Sequence, residues 1–339
     1  FQQRAGIYYG VQNSTAGDFI DQLSREVPLT AHLWTTTYEI GRPYQAVTHD
    51  LALIHAESAI SSWGHLHTTY AFQRNHREEF DHVRQYVTGP QYDFLLRTHT
   101  VDADLEHIPV VLGAATLEGG GGLSGIFQEN IYRGYDLIPN YRSFGGGIYA
   151  HERATWSRFA VELGGRLDHL SRTAFLQERF YENHMRRGTL SNEMCTDEDD
   201  LARCPSIFNA ASVSVGALWD VVPQTVELKL DLSSASRAPN ADEAYMLSSA
   251  PTFPIYVYSD PSLGVETTWG ASPTLSLDTS WLQAELSGFA NRIDDYIHFA
   301  PELDADGEPN FDVTIRGAFP RYSFRSINAR FHGADGSLL

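Results

Sequence analysis

The sequence of 339 residues is poor in basic residues and has no long apolar run. Its 24 lysines and arginines are outnumbered by 43 aspartates and glutamates, which gives a formal net charge of -19. Because nucleic acids and anionic surfaces attract basic proteins, this balance excludes nucleic-acid binding. The longest apolar stretch, residues 108–117, is about half the length of a membrane-spanning helix, so a helical membrane protein is excluded too.

Cysteine is also scarce, with Cys195 and Cys204 as the only pair. Their spacing is typical of a small disulfide loop in an oxidising compartment, and two unpaired thiols are the alternative. Aromatic residues, by contrast, are plentiful at 12% of the chain. This content excludes an intrinsically disordered chain, so the protein folds.

The most regular segments alternate between apolar and polar residues with a period of about two, which predicts strands. In residues 225–233, Val226, Leu228, Leu230 and Leu232 share one face, and the other face carries three charges. Such segments are nearer to the roughly 9 to 11 residues of a tilted transmembrane strand than to the shorter strands of soluble sandwiches. Short breaks alternate with long polar connections, as expected of a barrel in an outer membrane.

The pattern predicts an all-β, antiparallel, up-and-down transmembrane β-barrel of about twelve strands. Five long polar connections are expected at residues 11–43, 75–91, 171–205, 236–265 and 294–312. Tryptophans near the strand ends fit an interfacial girdle, with ordinary core tryptophans as the alternative. The predicted strands are residues 2–9, 44–56, 63–74, 92–107, 119–130, 141–153, 157–169, 207–219, 224–235, 266–277, 281–292 and 319–331.

Two neighbouring segments resemble a motif pair of TonB-dependent receptors. Residues 236–245 read SRAPNADEAY, and residues 259–269 read SDPSLGVETTW. The family commonly has Leu before Tyr, Gly-Asn before the second Pro, and Pro before Glu. Here these positions hold Ala244, Ser259-Asp260 and Val265. Residues 38–49 and 137–141 resemble further parts of such receptors, so the resemblance extends over most of the chain.

The resemblance implies a 22-stranded barrel closed by an N-terminal plug and energised by the TonB–ExbB–ExbD complex. Residues 1–339 are therefore expected to be a partial barrel domain that lacks the plug and strands at both ends. The ending Ser337-Leu338-Leu339 also lacks the terminal aromatic residue usual in these barrels. The implied location is the outer membrane of a Gram-negative bacterium, with membrane lipid and a small-molecule or metal-complex ligand as further partners.

Two sets of loop residues are candidates for binding. Extracellular loops are expected to hold the ligand through Arg237, Asn240, Glu243, Tyr245, Tyr132 and Arg133. A second candidate is a metal site formed by Asp197, Glu198, Asp199 and Asp200 with His184, because carboxylates bind Ca²⁺ and an added imidazole suits Zn²⁺. A solvated acidic loop is the competing interpretation.

Two other motifs give weaker indications of a binding site. Gly120, Gly122 and Gly125 match G-x-G-x-x-G, but the following residues are typical of a strand, so a turn and a smooth lumenal wall are expected instead of a nucleotide site. His65 and His67 lie on one face of a strand and could bind a transition metal, although polar residues lining a lumen are the simpler interpretation. No catalytic constellation and no cofactor are predicted.

The function expected is an importer of a scarce nutrient, above all a metal complex such as a ferric siderophore, haem or zinc. The alternatives are import of an oligosaccharide or cobalamin, a passive porin, a surface adhesin and, from another class, a soluble β-sandwich binding module.

Overall fold

A computed structural model describes residues 1–6, 15–27, 37–81, 88–191, 193–198, 201–249, 255–314 and 317–338. Three helices occur in these residues, α1 (Ala16–Leu23), α2 (Glu178–Arg187) and α3 (Ala241–Tyr245). The strands are β1 (Gln2–Gly6), β2 (Tyr44–Ile60), β3 (Gly64–Phe80), β4 (Tyr92–His107), β5 (Val110–Leu112), β6 (Ala115–Gly134), β7 (Asn140–Thr155), β8 (Phe159–Gln177), β9 (Thr196–Glu198), β10 (Leu201–Val222), β11 (Val226–Arg237), β12 (Leu247–Ser248), β13 (Tyr256–Tyr258), β14 (Glu266–Asp278), β15 (Gln283–Pro301), β16 (Phe311–Thr314) and β17 (Gly317–Leu338).

Long antiparallel strands form the wall of a barrel. β1 pairs with β2, and the pairing continues through β3, β4, β6, β7, β8, β10, β11, β14, β15 and β17. These twelve strands correspond one to one with the predicted ones, so the predicted all-β, up-and-down architecture is confirmed. None of the helices in the described residues is long and apolar enough to cross a membrane.

The two faces of the wall differ as the alternation predicts. On the outer face, the side chains of Leu228, Leu230 and Leu232 of β11 are exposed, and so are those of Leu163 and Leu167 of β8. The inner face is polar, and one row across it shows this: Thr69, Asp102, Ser124, Gly147, Asp168 and Ala210 oppose one another in turn on neighbouring strands. Because exposed aliphatic rows are unstable in water, the outer face is suited to lipid.

The strands extend further than the alternation predicts at the end where the long connections leave. β8 continues to Gln177 and β10 begins at Leu201, although residues 171–205 were predicted to be a loop. The same holds for 75–80 in β3 and 294–301 in β15. Above the bilayer the outer face no longer meets lipid, so these extensions lack the lipid-facing aliphatic row from which the strands are predicted. The tryptophans Trp63, Trp156, Trp219 and Trp281 are exposed near the short turns, as in a girdle.

The glycine-rich stretch lies inside β6, as the predicted strand 119–130 requires, and it forms no turn, so only the expectation of a turn was wrong. A Cβ at Gly120 would be 2.3 Å from the Leu105 carbonyl oxygen, and one at Gly122 would be 2.6 Å from that of Ala103. Glycine is therefore required by the close approach of β4 to β6.

A compact cap stands above the wall. Its buried cluster contains Ala174, Leu176, Phe180, Leu190, Cys195, Ala202, Cys204, Ala244, Tyr245 and Leu247. Cys195 and Cys204 form a disulfide within it. The cluster joins α2 and the hairpin ends of β8 and β10 to α3, which comes from the following long connection. The cap therefore depends on contacts between segments distant in sequence.

Candidate functional site

A segment that we call the strap, residues 238–249, crosses the inner side of the wall. Near its start, the Pro239 carbonyl oxygen accepts a hydrogen bond of 2.9 Å from Arg172 Nη1 of β8. At its end, Tyr92 Oη of β4 donates a bond of 2.6 Å to the Ser249 carbonyl. Between them, the Leu247 amide donates to the Leu137 carbonyl at 2.9 Å. The strap thus connects β8 with β4 along the inner side of the wall.

An ion cluster fixes the point where the strap leaves β11. Arg237 Nη1 donates to Glu243 Oε2 at 2.8 Å, and Arg237 Nε donates to Glu266 Oε1 at 3.2 Å. Glu243 also accepts the Asn240 amide at 2.6 Å, and Glu266 accepts the Ile297 amide at 2.8 Å. Both carboxylates are buried. The charges of the recognised motif therefore hold the strap to the wall.

The other predicted ligand contacts have different surroundings. Tyr245 is buried in the cap cluster, where desolvation raises the pKa of its hydroxyl. Tyr132 is buried, and its hydroxyl donates to the Gly134 carbonyl at 2.8 Å. Arg133 next to it is exposed. The structure therefore brings Arg237, Asn240 and Glu243 together. Tyr132 and Arg133 are on β6 and are not bonded to that group.

The predicted metal site receives no support from its histidine. His184 is buried against Phe180, and its Nδ1 is 3.0 Å from Thr189 Oγ1. Desolvation, with the charge of Arg187 second, lowers the pKa of His184 to about 4. Asp199 and Asp200, and the side chains of Asp197 and Glu198, lie outside the described residues. The acidic site stays a prediction.

A pocket of about 420 Å³ lies on the inner face below the strap. We call it the inner pocket; its polar lining comes from Asp102, Ser124, Arg166, Asp168, Arg172, Arg237 and Asn240. Arg166 donates to Asp168 at 2.7 Å and to Ser124 Oγ at 2.6 Å. Arg172 is buried, and its Nε has no hydrogen-bond partner among the residues the structure describes. Three guanidinium groups, those of Arg166, Arg172 and Arg237, therefore meet at this point, and within the described part of the chain the Nε of Arg172 is buried without a partner.

Sequence reasoning selected none of Arg166, Asp168 and Arg172 as a site residue. The alternation shows which face a residue occupies, whereas the pocket depends on the strap that covers that face. The signal available in the sequence was the recurrence of Arg166, Asp168, Leu170 and Arg172 at every second position of one strand.

Two of the larger grooves do not qualify as ligand sites. One of about 660 Å³ is lined by residues that include Val213, Val215, Leu232 and Trp269, and one of about 850 Å³ includes Leu123, Ile148 and Leu163. Both present mainly apolar surface of the outer face, where lipid chains would fill them.

Comparison with known proteins agrees with this architecture. The family model described as "TonB dependent receptor-like, beta-barrel" matches residues 2–338. No curated protein matches the chain in sequence. Among solved structures, the Serratia marcescens hemophore receptor HasR, in complex with its hemophore HasA and heme, superposes with a TM-score of 0.63 at 13% identity. That match covers 88% of this chain and 47% of HasR.

Two further structures are similar. The ferric-catecholate import receptor Fiu from E. coli K12 has a TM-score of 0.57 at 12% identity, and the match covers 97% of this chain and 49% of Fiu. The copper transporter OprC has a TM-score of 0.55 at 14% identity, with 87% of this chain and 44% of OprC covered. The chain thus spans about half the length of these proteins.

Proposed function

Because the chain belongs to the TonB-dependent receptor β-barrel family, we propose that it is part of a receptor that imports an anionic metal chelate, such as a ferric siderophore. The family and its structural neighbours are transport receptors and not enzymes. The protein resides in the outer membrane of a Gram-negative bacterium. Energy for import would come from the TonB–ExbB–ExbD complex, acting through a plug in the barrel.

The inner pocket is the observation that supports this ligand class most. Arg172 and Arg166 are held at fixed positions in a part-buried pocket, although the chain as a whole is strongly acidic. Each hydrogen bond between a guanidinium and an anion contributes about 1.5–3 kcal/mol. Two such contacts favour a chelate with carboxylate, catecholate or hydroxamate oxygens. The carboxylates of Asp102 and Asp168 repel an anion unless it carries hydrogen-bond donors that reach them.

The strap argues against a passive porin. It lies against the inner side of the wall and is bonded to β8, to β4 and, through Arg237, to the buried Glu266 of β14. A channel for unselective diffusion does not require a segment held at so many points. The strap instead gives the inner pocket a roof, which is useful in a receptor that must hold its ligand before transport.

Haem is the second candidate, because it carries two carboxylates that the same arginines can accept and because HasR was solved with heme. A free zinc ion or a neutral oligosaccharide or cobalamin fits the guanidinium pair less well. A surface adhesin has no need of an enclosed anion pocket.

Binding of labelled ligands to the full-length receptor in outer-membrane vesicles tests the proposal. The panel contains ferric catecholate, ferric hydroxamate and ferric citrate complexes, haem and cyanocobalamin. We expect one ferric chelate to bind, and Arg172→Gln to weaken its binding at least about tenfold. The variant loses a cationic donor whose hydrogen bond to an anion contributes about 1.4 kcal/mol or more, and it also loses the bond from Arg172 to the strap. Arg172→Lys should retain part of the affinity.

Arg142→Gln is the matched control, because Arg142 lies on the neighbouring strand with its side chain 65% exposed beside Glu129. It should leave binding unchanged. Heat-modifiable migration on gels verifies that each variant is folded. Equal affinity of the Arg172→Gln variant and the parent, or binding of cyanocobalamin alone, would refute the proposal.

A further inference from the structure

A group of metal-binding side chains lies on the inner face near a short turn, at the opposite end of the strands from the strap. His55 and Glu57 are on β2 and His67 is on β3, with one ligand atom from each lying within 4.8 Å of the others. We call these three residues the histidine cluster. The turn between the strands is residues 61–63, so the cluster lies on a tight hairpin.

The ladder determines which side chains meet. Glu57 stands directly opposite His67, and His55 stands opposite Thr69. Residues two apart on a strand share a face, so the three ligands project together from two adjacent strands. The β2–β3 ladder is continuous from Tyr44–Phe80 to Ile60–Gly64. A rigid ladder reduces the entropy lost when the ligands are drawn onto an ion.

Neighbouring groups complete the surroundings. His55 Nδ1 is 3.0 Å from Thr69 Oγ1, which can orient the ring and leave Nε2 for a metal. His65 Nδ1 is 3.7 Å from Glu57 Oε1, and His67 Nε2 is 4.0 Å from Glu106 Oε2. His65 and Glu106 can therefore act as a fourth ligand or as hydrogen-bond partners of the ligands.

We propose that the histidine cluster binds a divalent transition metal ion, with Zn²⁺, Cu²⁺ and Ni²⁺ as the chemical class. Two imidazoles and one carboxylate are ligands of borderline ions, whereas Ca²⁺ and Mg²⁺ require oxygen ligands. Donor atoms on a tetrahedral ion are about 3.3 Å apart for bonds of 2.0–2.1 Å. The present donors lie within 4.8 Å of one another, so binding an ion requires side-chain rotations that draw them closer.

Two observations separate this group from ordinary polar lining. It contains both imidazole and carboxylate, with their donors converging, and it is the one such group of three found in the described residues. The site is also independent of the inner pocket, whose lining residues it does not share. The histidine cluster would therefore bind its ion whichever chelate the receptor imports.

Titration of the full-length receptor in detergent with Co²⁺, a coloured substitute for Zn²⁺, tests the site. We expect about one equivalent to bind with the visible absorption of nitrogen-ligated cobalt. His67→Ala and His55→Ala should each weaken binding at least about tenfold, and Thr69→Val should weaken it less. Cu²⁺ electron paramagnetic resonance should show nitrogen coupling that His67→Ala removes.

His332→Ala is the control, because His332 is an exposed histidine on β17, far along the wall from β2 and β3. It should leave Co²⁺ binding unchanged. Chelate binding measured on the same variants separates the two proposals, since His67→Ala should affect only the ion. Unaltered Co²⁺ binding in both His55→Ala and His67→Ala, or equal loss in His332→Ala, would overturn the inference.

Discussion

The wall and the cap are stabilised by different means. In the wall, each strand pairs with its neighbour in sequence, and the side chains face either the lipid or the lumen. In the cap, α2 and the disulfide hairpin share one buried cluster with the strap, which is distant from them in sequence. The wall therefore depends on its solvent, the bilayer, whereas the cap has a small hydrophobic core like that of a water-soluble domain.

This difference separates stability from recognition. The wall should tolerate many substitutions on its inner face, because its stability comes from backbone pairing between strands and from contact of the outer face with lipid. The cap, in contrast, has a single small buried cluster and no repeated pattern, so the loss of one contact there is not compensated by others. Damage to the cap should therefore disturb ligand binding while the barrel persists.

The largest effect is expected from a charge on the outer face of the wall. Leu230 is exposed near the middle of β11, so Leu230→Arg should lower the free energy of unfolding in lipid vesicles by as much as about 4 kcal/mol. Asp231→Asn, on the adjacent inner-face position, should cost far less. Urea titration followed by tryptophan fluorescence measures both. Equal costs for the two would contradict the assignment of the faces.

Acidification should loosen the cap before the wall. The pKa of His184 is lowered from 6.5 to about 4 in the folded cap, so the unfolded state binds more protons between these values. Stability is full above pH 6.5 and is lost as the pH falls towards 4, by at most about 3 kcal/mol. Hydrogen exchange of α2 amides, corrected for intrinsic rates, should show this slope and β11 amides should not. His184→Gln should remove the slope; its persistence there would exclude His184 as the cause.

Loss of the disulfide should affect the cap by a slightly smaller amount. Cys195 and Cys204 are 9 residues apart, and closing a loop of that size stabilises by roughly 2–3 kcal/mol in the chain-entropy model. The double variant Cys195→Ala/Cys204→Ala should speed proteolysis of residues 178–198 without changing heat-modifiable migration of the barrel. If migration changes and proteolysis does not, the disulfide stabilises the wall instead.

The smallest effect is expected at the ion cluster of the strap. Glu243→Ala removes a partner of Arg237 and the acceptor of the Asn240 amide, at a cost of about 2 kcal/mol, because Arg237 itself is partly solvated. Exchange of the Leu247 amide reports the release of the strap. Glu227→Ala, which breaks the exposed pair with Lys229, should cost about 1 kcal/mol or less. A larger effect for Glu227→Ala than for Glu243→Ala would reverse the comparison.

The wall and the cap also differ in how well the sequence predicts them. The wall was predictable because alternation with a period of two reports directly which face meets lipid, as in Val226, Leu228, Leu230 and Leu232. The upper ends of β8 and β10 were not, because above the bilayer the outer face needs no aliphatic row, and the apolar residues there, such as Ala174 and Leu176, pack into the cap instead. The glycines of β6 lie within a predicted strand, but the turn also expected of them is absent, because the close approach of two strands requires glycine as well.

The candidate site was only partly predictable. The motif resemblance selected Arg237, Asn240 and Glu243, which the fold does bring together. The sequence could not show that Glu266 also pairs with Arg237. Arg172 lies 67 residues before Pro239 in the chain, and no local pattern reports that contact. His65 and His67 were visible as a pair on one face, whereas Glu57 joins His67 only through the register of the hairpin.

Uptake by living cells tests the central claim most directly. Cells that produce the full-length receptor are given the labelled ferric chelate that binds in vitro, with and without a protonophore and with or without TonB. The account predicts accumulation that requires both TonB and the proton-motive force and that falls in the Arg172→Gln variant. Accumulation that continues unchanged without TonB and with the protonophore present would show passive diffusion and contradict the account.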